Sequence, residues 1–241
     1  MPPNLSYHAD LAGNLASIRQ RIAEACARVG RDPASVTLLA VSKGQPPENV
    51  RAAADLGLSV FGENRVQEAR AKVGLCPSRL RWHLIGHLQT NKARDAVALF
   101  AMIQSVDSLH LAAELNKWAD RQARTVPVLL EVNVAGEATK YGYRAATLLA
   151  ELPALNALPR LEIHGLMTMA PWTPDAEKVR PVFRRLRELK QECEQILGAP
   201  LPQLSMGMTG DFPVALEEGA TMVRLGTALF GARRADRPPQ P

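Results

Sequence analysis

Lys43 carries the clearest chemical promise in this sequence. It follows Leu38-Leu-Ala-Val-Ser42, an apolar run, so it stands where a buried strand emerges into solvent. An amine placed there either snorkels to the rim or, when partly stripped of water, becomes a nucleophile toward an aldehyde. A second signal lies near the other end, in Leu204-Ser-Met-Gly-Met-Thr-Gly-Asp211 and Val223-Arg-Leu-Gly-Thr227. Small and hydroxylated residues let backbone N–H groups approach an anion closely, as at a helix N-terminus. The plainer reading is that these glycines make tight turns. Taken together, an amine and an anion cradle suit a phosphorylated aldehyde.

The elements that must position these groups alternate along the chain. Leu11, Leu15, Ile18 and Ile22 form one apolar stripe of a first helix, which Asp10 is expected to cap and Gly30 to end. Val36–Ser42 then reads as a strand apolar on both faces, the mark of a parallel sheet covered by helices. Helix Glu48–Leu56 precedes strand Leu58–Phe61, helix Asn64–Val73 precedes strand Arg81–Ile85, and helix Asn91–Phe100 precedes strand Met102–Val106. Helix Leu109–Arg124 leads to strand Val126–Val134, helix Arg144–Leu152 to strand Leu161–Leu166, and helix Asp175–Leu197 to a short strand near Gln203–Met206. A short helix at Phe212–Glu218 and strand Met222–Leu225 close the series.

This order predicts an α/β fold: one (β/α)8 TIM-type barrel with an extra N-terminal helix, spanning 1–241 as a single domain with a frayed tail over about 233–241. A doubly wound open sheet is the alternative, and no GxGxxG follows the first strand to favour it. A barrel works at the C-terminal ends of its strands, which selects Lys43, Glu63, Asn64, Asp107, Asn133, Met167, Ser205, Arg224, Gly226 and Thr227. The amine after strand one is expected to face the anion cradle after strands seven and eight across the barrel.

Composition narrows the class. The 241 residues are 46% hydrophobic and 22% charged, near the globular average, which excludes disorder and disulfide scaffolds. Only 5% are aromatic, so the core is aliphatic. No apolar run approaches the roughly 18 residues of a membrane span. Met1-Pro-Pro-Asn4 has no signal-peptide character, so a cytoplasmic protein is expected. Cys26, Cys76 and Cys193 show no CxxC pairing and read as reduced thiols rather than a metal site. The net charge of +5 is spread out. The densest basic stretch, Arg233-Arg234-Ala-Asp-Arg237, is weak support for nucleic acid, and a small anionic ligand explains the excess equally well.

Other residues receive plainer readings. His83 and His87 are four apart, but strand phase separates them, which argues for structural or rim roles. Met167, Met169, Met206 and Met208 read as adaptable filling around a pocket. Glu63 and Asp107 are expected to pair with Arg or Lys at the mouth, with no carboxylate partner arranged for acid–base work. Trp82, Trp118 and Trp172 are assigned to packing.

Eight motifs in register carry a resemblance. Ala40-Val-Ser-Lys43, Phe61-Gly-Glu-Asn64 with Gln67-Glu68, Trp82-His-Leu-Ile-Gly-His-Leu-Gln-Thr-Asn-Lys92 and Ser105-Val-Asp107 resemble the pyridoxal-phosphate homeostasis family. So do Val132-Asn-Val134 with Glu137, Gly165-Leu-Met167, Leu204-Ser-Met-Gly-Met208 and Val223-Arg-Leu-Gly-Thr227. The family is similar in fold to the barrel domain of alanine racemase. The resemblance implies that Lys43 holds pyridoxal 5′-phosphate as an internal aldimine (a Schiff base). Ser205, Gly226 and Thr227 would then contact the phosphate, with the Met206–Gly207 backbone nearby. Arg224 would approach the pyridine nitrogen, and Asn64 would lie beside the ring near its phenolic oxygen. Gly44-Gln45, Thr209 and Tyr141 depart from the commoner pattern, and none removes a proposed ligand.

The resemblance also implies binding without turnover: vitamin B6 homeostasis and delivery, through transient contacts with pyridoxal-phosphate-dependent apoenzymes, by a monomer that engages neither nucleic acid nor membrane. A cationic arginine at the ring nitrogen disfavours its protonation and leaves a weak electron sink, though racemases of similar fold tolerate the same arrangement. The extra β-domain whose tyrosine serves the racemases as second acid–base group is not expected here, nor is that role assigned to Tyr7, Tyr141 or Tyr143. The alternatives are a minimal amino-acid racemase or aldolase, and a barrel binding another phosphorylated metabolite with Lys43 as an ion-pair partner.

Overall fold

A computed structural model describes residues 5–137 and 139–231. The tail expected at 233–241 lies outside them. Eight strands form a closed, wholly parallel barrel in chain order. They are β1 (Thr37–Val41), β2 (Val60–Glu63), β3 (Arg81–Leu84), β4 (Met102–Val106), β5 (Val126–Glu131), β6 (Leu161–Met167), β7 (Gln203–Ser205) and β8 (Met222–Leu225). Closure pairs β8 with β1, setting Leu39 beside Arg224 and Ala40 beside Leu225. The helices are α1 (Leu5–Arg28), α2 (Pro47–Asp55), α3 (Val66–Val73), α4 (Ala93–Leu99), α5 (Leu109–Arg121), α6 (Ala145–Asn156), α7 (Arg180–Leu197), α8 (Phe212–Glu217) and α9 (Thr227–Phe230).

The period of two along each strand sorts side chains between two environments. Ala40, Phe61, Trp82, Leu84, Ile103, Val128, Leu130, Leu204, Val223 and Leu225 join the large aliphatic core that meets the helices. Their neighbours fall outside that core. Leu39, Val41, Ile85 and Met222 form one small apolar cluster, and Met102, Leu129 and Met167 form another. The same alternation turns His83, Glu131, Ser205 and Arg224 into the barrel, all of them buried. Between β6 and β7 the backbones touch so closely that a Cβ on Gly165 would lie 1.8 Å from the Gln203 carbonyl oxygen.

Several element ends differ from the sequence reading. α1 begins before Asp10, which lies inside the helix and caps nothing, because packing against α8 and α9 carries the helix further. At its end, Gly30 N–H reaches Ala27 O and Arg31 N–H reaches Cys26 O. α6 runs through Pro153 to Asn156, since Leu155 continues the buried stripe of Leu148 and Leu152 while the proline faces solvent. β5 stops at Glu131, where Val132 makes only an isolated bridge to Tyr143. The stretch Asp175–Leu197 divides into a 3-10 turn over Ala176–Val179 and then α7. β2 extends to Glu63, two residues beyond the expected end.

Candidate functional site

The chain around Lys43 is built first by β1. Its last residues are buried, and Lys43 follows in an exposed turn. Asn64, half-buried, leaves β2 at the same rim, and its carbonyl runs so close to the β3 loop that a Cβ on Gly86 would come within 2.4 Å of it. β7 delivers Ser205, followed by buried Met206 and Gly207. Gly207 has φ +94°, and a Cβ there would sit 2.7 Å from that of Ala215, so the turn after β7 is folded tightly onto α8. β8 delivers Arg224, then Gly226, and exposed Thr227 opens α9. The first N–H groups of a helix have no partner within it, and here the Ala228 N–H donates to Thr209 Oγ1 at 3.3 Å.

The expected arrangement across the barrel is corrected by closure. β1 and β8 are neighbours, and a Cβ on Gly226 would lie 3.3 Å from the carbonyl oxygen of Val41. Lys43 therefore adjoins the Gly226–Thr227 turn instead of facing it. The strand opposite β1 in the ring is β5.

A chain of hydrogen bonds crosses the barrel interior. Arg224, buried, donates from Nη1 to Ser205 Oγ at 2.8 Å and from Nη2 to Thr168 O at 2.8 Å. Ser205 Oγ donates in turn to Gln104 Oε1 at 2.6 Å, and Gln104 Nε2 lies 2.9 Å from His83 Nδ1. With Nδ1 accepting, the neutral ring carries its proton on Nε2, a buried nitrogen without a partner. Burial and the nearby Arg81 charge push the His83 pKa down to about 3, so the ring stays neutral. Burial lowers the Arg224 pKa to about 10, against the opposing pull of Glu131 and Asp211, so the guanidinium keeps its charge at neutral pH. The Ser205 hydroxyl thus spends its one proton on Gln104 and one lone pair on Arg224, and it can donate to an anion only by releasing Gln104.

Sequence reasoning missed Glu131, Lys72, Gln104 and Thr168. Glu131, buried at the end of β5, has its pKa raised to about 7, chiefly by burial and then by the charge of Asp107, with Arg224 opposing. Asp107 therefore does have a carboxylate neighbour, contrary to the sequence reading. Its Oδ2 also meets His87 Nδ1 at 3.1 Å, and the His87 ring stacks on Tyr141 at 3.6 Å between centroids. The available signal for Glu131 was a single acid closing an apolar strand. Glu63 pairs with a lysine as expected, namely Lys72 at 2.6 Å. Of the tryptophans assigned to packing, Trp82 is buried and Trp118 lies under Arg94 and Arg121, whereas Trp172 is 89% exposed. It sits in the loop beyond β6, where Ala170 is the residue turned inward. Among the described residues no group of His, Cys, Asp and Glu could hold a metal ion.

A family model described as the N-terminal domain of alanine racemase matches residues 13–234. The pyridoxal phosphate homeostasis protein of Aquifex aeolicus is 45% identical over 221 residues, covering 91% of this chain and 97% of that protein. The chain belongs to the pyridoxal phosphate homeostasis protein family. Within this family, the Pseudomonas aeruginosa pyridoxal phosphate homeostasis protein is 44% identical over 224 residues, covering 92% of this chain and 96% of that protein. The structure of PipY from Synechococcus elongatus PCC7942, solved with PLP bound, superposes with a TM-score of 0.81 at 42% identity, covering 92% of this chain and all of that one. The barrel described above is thus the fold of the homeostasis family.

Proposed function

We propose that this chain binds pyridoxal 5′-phosphate reversibly at the barrel mouth, as an imine of Lys43, and serves in its intracellular storage and delivery without turning over a substrate. The observation that carries the reading is the adjacency of β1 and β8. On the pyridine ring the formyl and phosphomethyl groups occupy neighbouring carbons. A site for this molecule therefore needs its amine and its anion cradle side by side, and Lys43 and Gly226–Thr227 meet that demand. The residues present fit the group. Gly226, Thr227 and the Met206–Gly207 backbone would hold the phosphate, with Ser205 at the strand end. Arg224 would face the ring nitrogen, and Asn64 would flank the ring from β2. The cofactor supplies an electrophilic carbonyl and an electron sink. A cation held by Ser205 and Thr168 would weaken that sink, as it would in a racemase of similar fold, so it does not by itself separate a holder from a catalyst.

The exposed large hydrophobics among the described residues (Val29, Leu75, Tyr141, Trp172 and Ile196) are dispersed along the chain, four of them in loops, which supports a monomer that meets apoenzymes transiently. The free cysteines support a cytoplasmic setting. No described helix is long and apolar enough to cross a membrane.

One observation favours a second reading, a minimal racemase or aldolase. Glu131, on the strand opposite β1 and with its pKa near 7, is a protonatable group on the far side of the mouth from Lys43. Incubating the loaded protein with common L-amino acids in heavy water separates the two. Storage predicts no sustained α-proton exchange. Exchange at enzyme-like rates, lost in Glu131→Gln, would establish catalysis.

A further inference from the structure

Lys43 stands between two backbone groups held by one ion cluster, of which Lys72 and Glu63 are buried and Glu68 is half-buried. Ser42, before it, is fully buried, its hydroxyl donating to Glu63 Oε1 at 2.6 Å and its carbonyl accepting from Lys72 Nζ at 2.7 Å. Gly44, after it, donates its N–H to Glu68 Oε1 at 2.5 Å. The Lys72 ammonium closes the circuit by reaching Glu63 Oε1 at 2.6 Å and Glu68 Oε1 at 3.1 Å. Its three protons thus match three acceptors: a carboxylate at the end of β2, a carboxylate one turn earlier on α3, and the carbonyl of the turn that carries Lys43.

Lys72 is only 4% exposed. Burying an ammonium with its carboxylate is weakly stabilising at best, and a well-packed apolar side chain commonly does as well. What such a cluster adds over an apolar contact is direction, since each hydrogen bond fixes a particular backbone atom. Here the atoms fixed are those that set the path of residues 42–44, and they tie the β1 turn to the β2–α3 unit. We propose that Lys72, acting with Glu68, is a positioning residue that aims Lys43 at the carbonyl carbon of an aldehyde ligand. The inference rests on Lys43 being the attachment point.

Two probes that share the phosphate and ring separate aim from fold: pyridoxal 5′-phosphate, which carries the aldehyde, and pyridoxine 5′-phosphate, an alcohol that cannot condense with an amine. Lys72→Met and Glu68→Ala are compared with the unaltered protein. The readouts are the rate of appearance of a borohydride-stable adduct at residue 43 and the affinity for the alcohol by calorimetry. Glu68 is half-buried, so its variant keeps the test open where Lys72→Met fails to fold. The expected result is capture slowed at least tenfold, with the alcohol bound within twofold of the unaltered protein. Capture at the original rate, or parallel loss of both ligands, overturns the inference alone. No adduct at Lys43 in the unaltered protein overturns the site reading and the inference with it.

Discussion

At the scale of single residues, the barrel interior is a place where charge is expensive and therefore informative. Glu131 is the sharpest case. Its ordinary pKa of 4.5 is raised to about 7, so the folded protein keeps a proton that the unfolded chain surrenders between those values. Stability from this group is fully present below about pH 4.5 and is lost as pH rises through 7. Glu131→Gln should therefore match the parent at pH 4.5 and exceed it at pH 8, by on the order of 3 kcal/mol. Urea denaturation of the cofactor-free protein at the two pH values checks this. Equal differences at both would show that the carboxyl ionises normally. None of this was readable along the chain, because the raising influences, burial and Asp107, come from strand closure and from a neighbouring strand. Lys43 was readable, since an amine ending an apolar strand announces its position through local pattern alone.

At the scale of elements, strands were legible wherever their apolar runs had clear ends. β4 and β8 begin and end where the pattern places them. Ends were misplaced where a side chain's contribution depended on tertiary packing, as at Pro153, whose exposed face lets α6 continue. Gly165 marks an element contact that the sequence shows only as a missing side chain. With its Cβ meeting the Gln203 carbonyl at 1.8 Å, Gly165→Ala must push β6 and β7 apart. A loss of about 3 kcal/mol or more is expected, in the range of severe core overpacking. Thermal melting checks it, and an unchanged Tm would mean the strands have slack there. Gly207→Ala acts on the turn after β7, where φ +94° and the Ala215 contact both resist a side chain. It should weaken binding of phosphate-bearing ligands more than it lowers Tm. Calorimetry with pyridoxine 5′-phosphate measures the first quantity, and unchanged affinity would remove that turn from the cradle.

For the whole molecule, eight strands in alternation with helices, with no GxGxxG after the first, were enough to favour the barrel over an open doubly wound sheet. A closed barrel in chain order already implies that the first and last strands touch, a consequence that the expectation of a cradle facing Lys43 across the barrel overlooked. That contact brings Lys43 and the turn proposed to hold the phosphate together from opposite ends of the chain, and it sets Arg224 beside Leu39. The proposed attachment of pyridoxal 5′-phosphate to Lys43 has a direct test. Pyridoxal 5′-phosphate is added to the unaltered protein and to Lys43→Ala, both are reduced with borohydride, and the labelled peptides are mapped by mass spectrometry. A single adduct on the peptide bearing Lys43, absent from a Lys43→Ala protein that melts like its parent, is the predicted result. An unlabelled protein, or equal labelling of both on another lysine, would contradict it.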